Sequence, residues 1–176
     1  MKTRFKTLFL LSALMAALLA SISTHAATIT WTNTAGGNWS VTNNWSPNQA
    51  PGISDTAIIT NSGTYTVTVT TVVGVSNVFL GSSSGTQTVT LSSGSLTATN
   101  ISTQTTNGAI TLAGGTIANA MINLTNGTSL SAQSGTFNGV TVVGTLDVGN
   151  SVNAAALTVT NGLVLNGTAL VGNPTN

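Results

Sequence analysis

Residues Thr64–Thr70 read T-Y-T-V-T-V-T, with Tyr65, Val67 and Val69 at every second position and threonine between them. Strict alternation of apolar and hydroxyl side chains turns one face to a core and the other to water, the pattern of a half-buried β-strand. The same theme returns at Gln87–Leu91, Ala109–Leu112, Leu124–Thr125, Leu146–Val148 and Leu157–Val159. No stretch of comparable length repeats at the helical period. Between the strands lie Gly-Thr steps, as at Gly63, Gly85 and Gly115, and Asn-Gly steps, as at Asn107, Asn138 and Asn161. Glycine and asparagine suit the positive φ angles of tight corners.

The corners recur. Thr-Asn-Gly begins at Thr106, Thr125 and Thr160, intervals of 19 and 35 that fit one and two turns of a repeat near eighteen residues. Short strands and glycine corners at a fixed interval mark a stacked solenoid. A β-sandwich also uses short strands, but a fixed tripeptide interval is not its habit. The expected fold is therefore all-β: a right-handed parallel β-helix, with Val, Leu and Ile in ladders inside and Thr, Ser and Asn outside. At roughly 20 residues per coil it would hold about seven coils in a rod near 35 Å long.

The N-terminal end of the sequence differs from the rest. Lys2, Arg4 and Lys6 precede an apolar run from Leu8 to Ala20, then Ser21, Ser23, Thr24 and Ala26. That is the grammar of a cleaved secretory leader, with the cut expected between Ala26 and Ala27. The run is short for a membrane span, which takes about 20 apolar residues. The organisation expected is a leader helix over 1–26, a cap over 27–60 and β-helix repeats over 61–176. Trp31, Trp39 and Trp45 all fall in the cap, around Gly36-Gly37 and ahead of Pro47, Pro51 and Asp55. A solenoid needs an atypical first unit to cover its apolar end, and large amphipathic indoles suit that role.

Cleavage would change the electrostatics. The net charge of +1 and pI of 8.3 belong to the whole chain, whose three basic residues and His25 all lie in the leader. Residues 27–176 contain no Lys, Arg, His, Glu or Cys, and only Asp55 and Asp147 are charged. Nucleic-acid binding relies on cations that neutralise phosphate, so it is not expected. Anionic membranes likewise find no basic partner after cleavage. Disulfides and zinc–thiolate sites need cysteine. Neither cofactor nor metal is expected.

The same inventory argues against an enzyme. Glycoside hydrolysis uses two carboxyl groups about 5–10 Å apart, whereas Asp55 and Asp147 would sit several coils apart. Asp55 is expected to bind backbone N–H groups in the cap, and Asp147 to point outward between Leu146 and Val148. Abundant serine and threonine have no His or Lys to activate them. What this leaves is binding: Trp31, Trp39 and Trp45 as stacking platforms for carbohydrate, against the same residues as cap core. Thr-X-Thr pairs starting at Thr66, Thr68, Thr88, Thr97 and Thr158 suggest a third reading, an ice-binding ladder. Such a ladder requires the pair at the same place in every coil, and these starts keep no common interval.

The stretch W-T-N-T-A-G-G-N-W-S-V-T-N-N-W-S at Trp31–Ser46, leading into A-P-G-I-S-D-T-A-I-I at Ala50–Ile59, resembles the start of large bacterial β-strand-repeat surface proteins, including autotransporter passengers. S-G-T-F-N-G-V-T-V-V-G-T-L-D-V at Ser134–Val148 and V-T-N-G-L-V-L-N-G-T-A at Val159–Ala169 resemble their repeats. The resemblance implies export, a parallel β-helix and display at the cell surface or secretion; cell-surface or matrix glycans are separately expected as partners. It brings no catalytic residue. No membrane barrel or anchoring helix precedes Asn176, as expected of a fragment of a longer passenger. An open last coil around Leu163–Val171 would favour self-association.

Overall fold

The computed structural model describes residues 25–124 and 127–172. Of the leader helix expected over 1–26, residues 1–24 lie outside the described residues. The described chain is a β-solenoid of stacked parallel coils, about five turns long. Its strands are β1 (Thr28–Trp31), β2 (Gly37–Asn38), β3 (Trp45–Ser46), β4 (Thr56–Ile59), β5 (Tyr65–Val69), β6 (Val72–Leu80), β7 (Gln87–Leu91), β8 (Ser95–Thr103), β9 (Gly108–Ala118), β10 (Met121–Asn123), β11 (Ser129–Val148) and β12 (Ala156–Val171). Among the described residues the one helical piece is a 3-10 turn at Thr42–Asn44.

Each coil visits three faces. The first is built by β2, β5, β7 and the start of β9, the last of these paired with β11. The second joins the first halves of β6 and β8 to the end of β9, then the middle of β11 and β12. The third runs from β1 through β4, β6, β8, β10 and β11 to β12. A strand longer than one face, such as β8, bends across a corner without leaving the ladder.

Register converts period-two alternation into ladders of like side chains. On the third face Ile29, Ala57, Val78, Ile101, Ile122, Val142 and Leu165 stand directly beside one another in order. The first face stacks Val67, Val89, Ile110 and Leu130, with Val69, Leu91, Leu112 and Ala132 alongside. The second stacks Val73, Leu96, Ile117, Phe137 and Val159. All but the exposed Val159 join or pack against one continuous hydrophobic core that also includes all three tryptophans. Each well-buried aliphatic side chain contributes about 1.5–3 kcal/mol.

The repeat is longer than the Thr-Asn-Gly spacing suggests. Thr56 pairs with Asn77 and Asn77 with Asn100, steps of 21 and 23 residues. Met121 pairs with Thr141, a step of 20. The tripeptides mislead because they occupy unlike corners. Asn107 closes the entry to the first face, where its backbone oxygen accepts from Gln87. Asn161 turns the chain between the second and third faces with φ +54°. The first step is longer still, Thr28 to Thr56 being 28 residues, because the cap is inserted there. Longer coils and a long insertion leave room for about five turns, not the seven expected.

One glycine column allows the coils to approach at a corner. A Cβ on Gly115 would lie 2.5 Å from the Gly94 carbonyl oxygen, and one on Gly135 would lie 2.4 Å from that of Gly115. Neither distance admits a side chain, so glycine is a steric requirement at Gly115 and Gly135.

Candidate functional site

The cap forms where the first coil departs from the repeat. Alternation along β1 sends Ile29 and Trp31 inward, and β3 folds back antiparallel to place Trp45 beside Trp31. The two indoles meet edge to face, centroids 4.9 Å apart at 90°. Trp39 meets Trp45 at 4.9 Å and 64°. Such aromatic pairs add about 0.5–1.5 kcal/mol beyond their buried area. Two of the three N–H groups bind backbone: Trp31 Nε1 donates to Asn33 O at 2.6 Å, and Trp45 Nε1 to Trp39 O at 2.8 Å. Buried Asn44 ties the surrounding loop, donating to Asn38 O and accepting from Asn33 Nδ2.

The tryptophans thus come together, as a carbohydrate platform would require, but they face one another. Their exposures are 0% for Trp31, 1% for Trp39 and 1% for Trp45. Stacking on a sugar needs an open indole face, and burial leaves none. Inward positions on β1 and β3 place Trp31 and Trp45 in the core, and Trp39 packs against Trp45 beside them.

Beside Trp39 lies an open hollow of about 550 Å³. The cap loop Ala50–Ile53 forms one wall and the first strand of the second face, with Val72, Val73 and Gly74, the other. Ile53 and Val72 are 76% and 86% exposed on its rim. Trp39 Nε1 has no hydrogen-bond partner, alone among the buried side-chain polar atoms described. Sequence reading missed this hollow because its walls come from segments some twenty residues apart that meet only through the cap insertion.

The two carboxylates hold turns. Asp55 accepts from Ala27 N at 2.9 Å and Gly52 N at 2.8 Å, which is the cap-bracing role expected of it. Asp147 was expected to point outward, yet it is 5% exposed. Its Oδ1 accepts from Asn150 N at 2.9 Å and Ser151 N at 3.3 Å, folding back over the turn that follows β11. That turn is the physical reason: its backbone N–H groups draw the carboxylate in. From β4 to β11 the third face takes four ladder steps, roughly 19 Å at the inter-strand spacing. No single glycosidic bond is flanked by both. Among the described residues no three His, Cys, Asp or Glu side chains cluster as a metal site.

Threonine is more ordered than its numbering suggests. Thr66 stands beside Thr88, and Thr68 beside Thr90 and then Thr111, so two Thr-X-Thr pairs do share a register on the first face. The array is not sustained: Ala109 takes the next place after Thr88. The pairs at Thr97 and Thr158 lie on the second face, where Thr97 meets Ala118 and Thr160 meets Asn138.

A scan against protein-family models, a search of curated proteins and a search of solved structures find no match to this chain.

Proposed function

We propose that the chain is an exported structural module, a β-solenoid that spaces, shields or adheres at a bacterial cell surface. The observation that carries this reading is the use made of the only two charged side chains of residues 27–176. Asp55 and Asp147 are both buried and both committed to backbone N–H groups. What faces solvent is a neutral coat of Thr, Ser and Asn around a continuous aliphatic column, a construction suited to length and inertness. The resemblance of Trp31–Ser46 and Ser134–Val148 to autotransporter-type β-strand repeats supports export and surface display. Self-association through the last coil belongs to the same reading: β12 covers the column's end, and Val159, Val164 and Val171 are 44%, 54% and 76% exposed on it.

A second reading rests on the open, largely apolar hollow of about 550 Å³ beside Trp39. An uncharged sugar is the ligand class that fits a site without charge. A glycan array probed with residues 27–176 separates the two. The structural reading expects no selective binding, and it expects Trp39→Ala to lower stability by about 3–5 kcal/mol in urea unfolding, as for other buried aromatics. Selective glycan binding, abolished by Trp39→Ala in a chain that still folds, would establish the binding module instead.

A further inference from the structure

The first residue of the folded body is Ala27. It is part-buried, it packs against the core, and β1 begins at the next residue. Both its backbone groups are engaged. Ala27 O accepts from Thr56 N at 2.8 Å, the first bond of the third-face ladder, and Ala27 N donates to Asp55 Oδ1 at 2.9 Å. Asp55 is 7% exposed, and residues 27–176 contain no Lys, Arg or His to neutralise it. A buried carboxylate without a cation is costly. The cap holds it nonetheless, and the atom aimed at it is the backbone nitrogen at the expected leader boundary.

We propose that Ala27 is the mature N-terminus and that its α-ammonium is the counter-ion of Asp55. The inference rests on the leader reading of residues 1–26. Hydrolysis adds water across the Ala26–Ala27 peptide bond: Ala26 leaves as the carboxylate of the released leader, and Ala27 retains the amine, protonated at pH 7. The co-reactants are water and a leader peptidase that cuts after small residues. Before the cut Asp55 accepts from a neutral amide. Afterwards the same nitrogen carries the one positive charge of the chain, and a hydrogen bond becomes a buried ion pair. Asp55 also binds Gly52 N, and its backbone oxygen accepts from Ser76 N at 2.9 Å. The pair therefore ties the terminus, the cap loop and the second coil together. Leader removal in this way strengthens a cap contact that the full chain already makes.

The test begins with the full chain expressed with an export pathway and the exported protein sequenced from its N-terminus. A 150-residue product starting at Ala27, 176 less 26, is expected; any other start, or an intact leader, overturns the processing step. The second arm uses the absence of lysine: an acetylating reagent finds a single amine. Acetylation removes its charge and should lower Tm by about 5 °C or more, whereas reductive dimethylation, which keeps the charge, should lower it far less. In Asp55→Asn the acetylation shift should vanish. Correct processing with equal acetylation shifts in both proteins would overturn the ion pair while sparing the leader reading. If Asp55→Asn does not fold, the unsubstituted protein decides alone, and an unchanged Tm on acetylation overturns the pair.

Discussion

Tyr65 shows how a single side chain reports on this fold. Its ring enters the first face at the head of a ladder, above Gln87 and Gly108, and its hydroxyl donates to Asn61 O at 3.0 Å. Burial raises its pKa above the ordinary 10. The folded state therefore prefers the neutral phenol. That contribution to stability is complete below the unfolded pKa near 10 and is lost as pH rises through the higher folded value. As the chain's only tyrosine, Tyr65 gives a clean ultraviolet titration. Phenolate absorbance should appear later in the folded protein than in urea, and urea midpoints should fall further as pH rises past 10. Coincident titrations in the two states would contradict the burial. Much at this scale was legible in the residues: Tyr65, Val67 and Val69 face inward as alternation requires. Gln87 was not legible as core. It is 0% exposed, and it is satisfied by Ser82 N, Gly63 O and Ser84 O, groups that only the corner geometry brings to it. Asp147 misled for a related reason, since alternation describes the straight part of a strand and not a side chain that turns to bond the loop beyond it.

At the scale of the strand, the parallel ladder makes neighbours of residues 20–23 apart. An inward residue is then held by like residues above and below. Ile101 lies between Val78 and Ile122 with 1% exposure, so Ile101→Ala should cost about 2–5 kcal/mol in urea unfolding. Thr88 is outward and shares its register with Thr66 and Ala109, so Thr88→Val should stay within about 0.5 kcal/mol. Equal effects of the two would contradict the assigned faces. Strand identity and facing followed from period two, which is a local property. The coil length did not, because it depends on which corners stack, and Thr-Asn-Gly serves more than one corner. The threonine register was hidden likewise: Thr66 and Thr88 are 22 residues apart, a spacing that means adjacency only once the coil length is known.

The whole molecule is a column with unlike ends. The tryptophan cap covers the first coil, β3 pairing with β1 on the side away from β4. At the other end β12 pairs with β11 alone, over fourteen residue pairs, and presents its second edge to solvent. A long strand with one free edge invites pairing, and the cap denies a partner at the opposite end. Association should therefore close at two copies, end to end through β12, and not propagate into fibres. Sedimentation of residues 27–176 should show a monomer–dimer equilibrium, shifted to monomer by Val164→Lys. A strictly monomeric rod, or open-ended polymers, would contradict this arrangement. The architecture also makes length independent of the cap. One coil, residues 87–107, starts and ends at matching points, since Gln87 pairs with Gly108. The most direct test is to insert three further copies of residues 87–107 after Asn107 and measure the protein by small-angle X-ray scattering. Stacked coils predict a particle about 14 Å longer, with an unchanged cross-section and a Tm no lower than the parent's. A particle that widens, keeps its length or loses its fold would contradict the column.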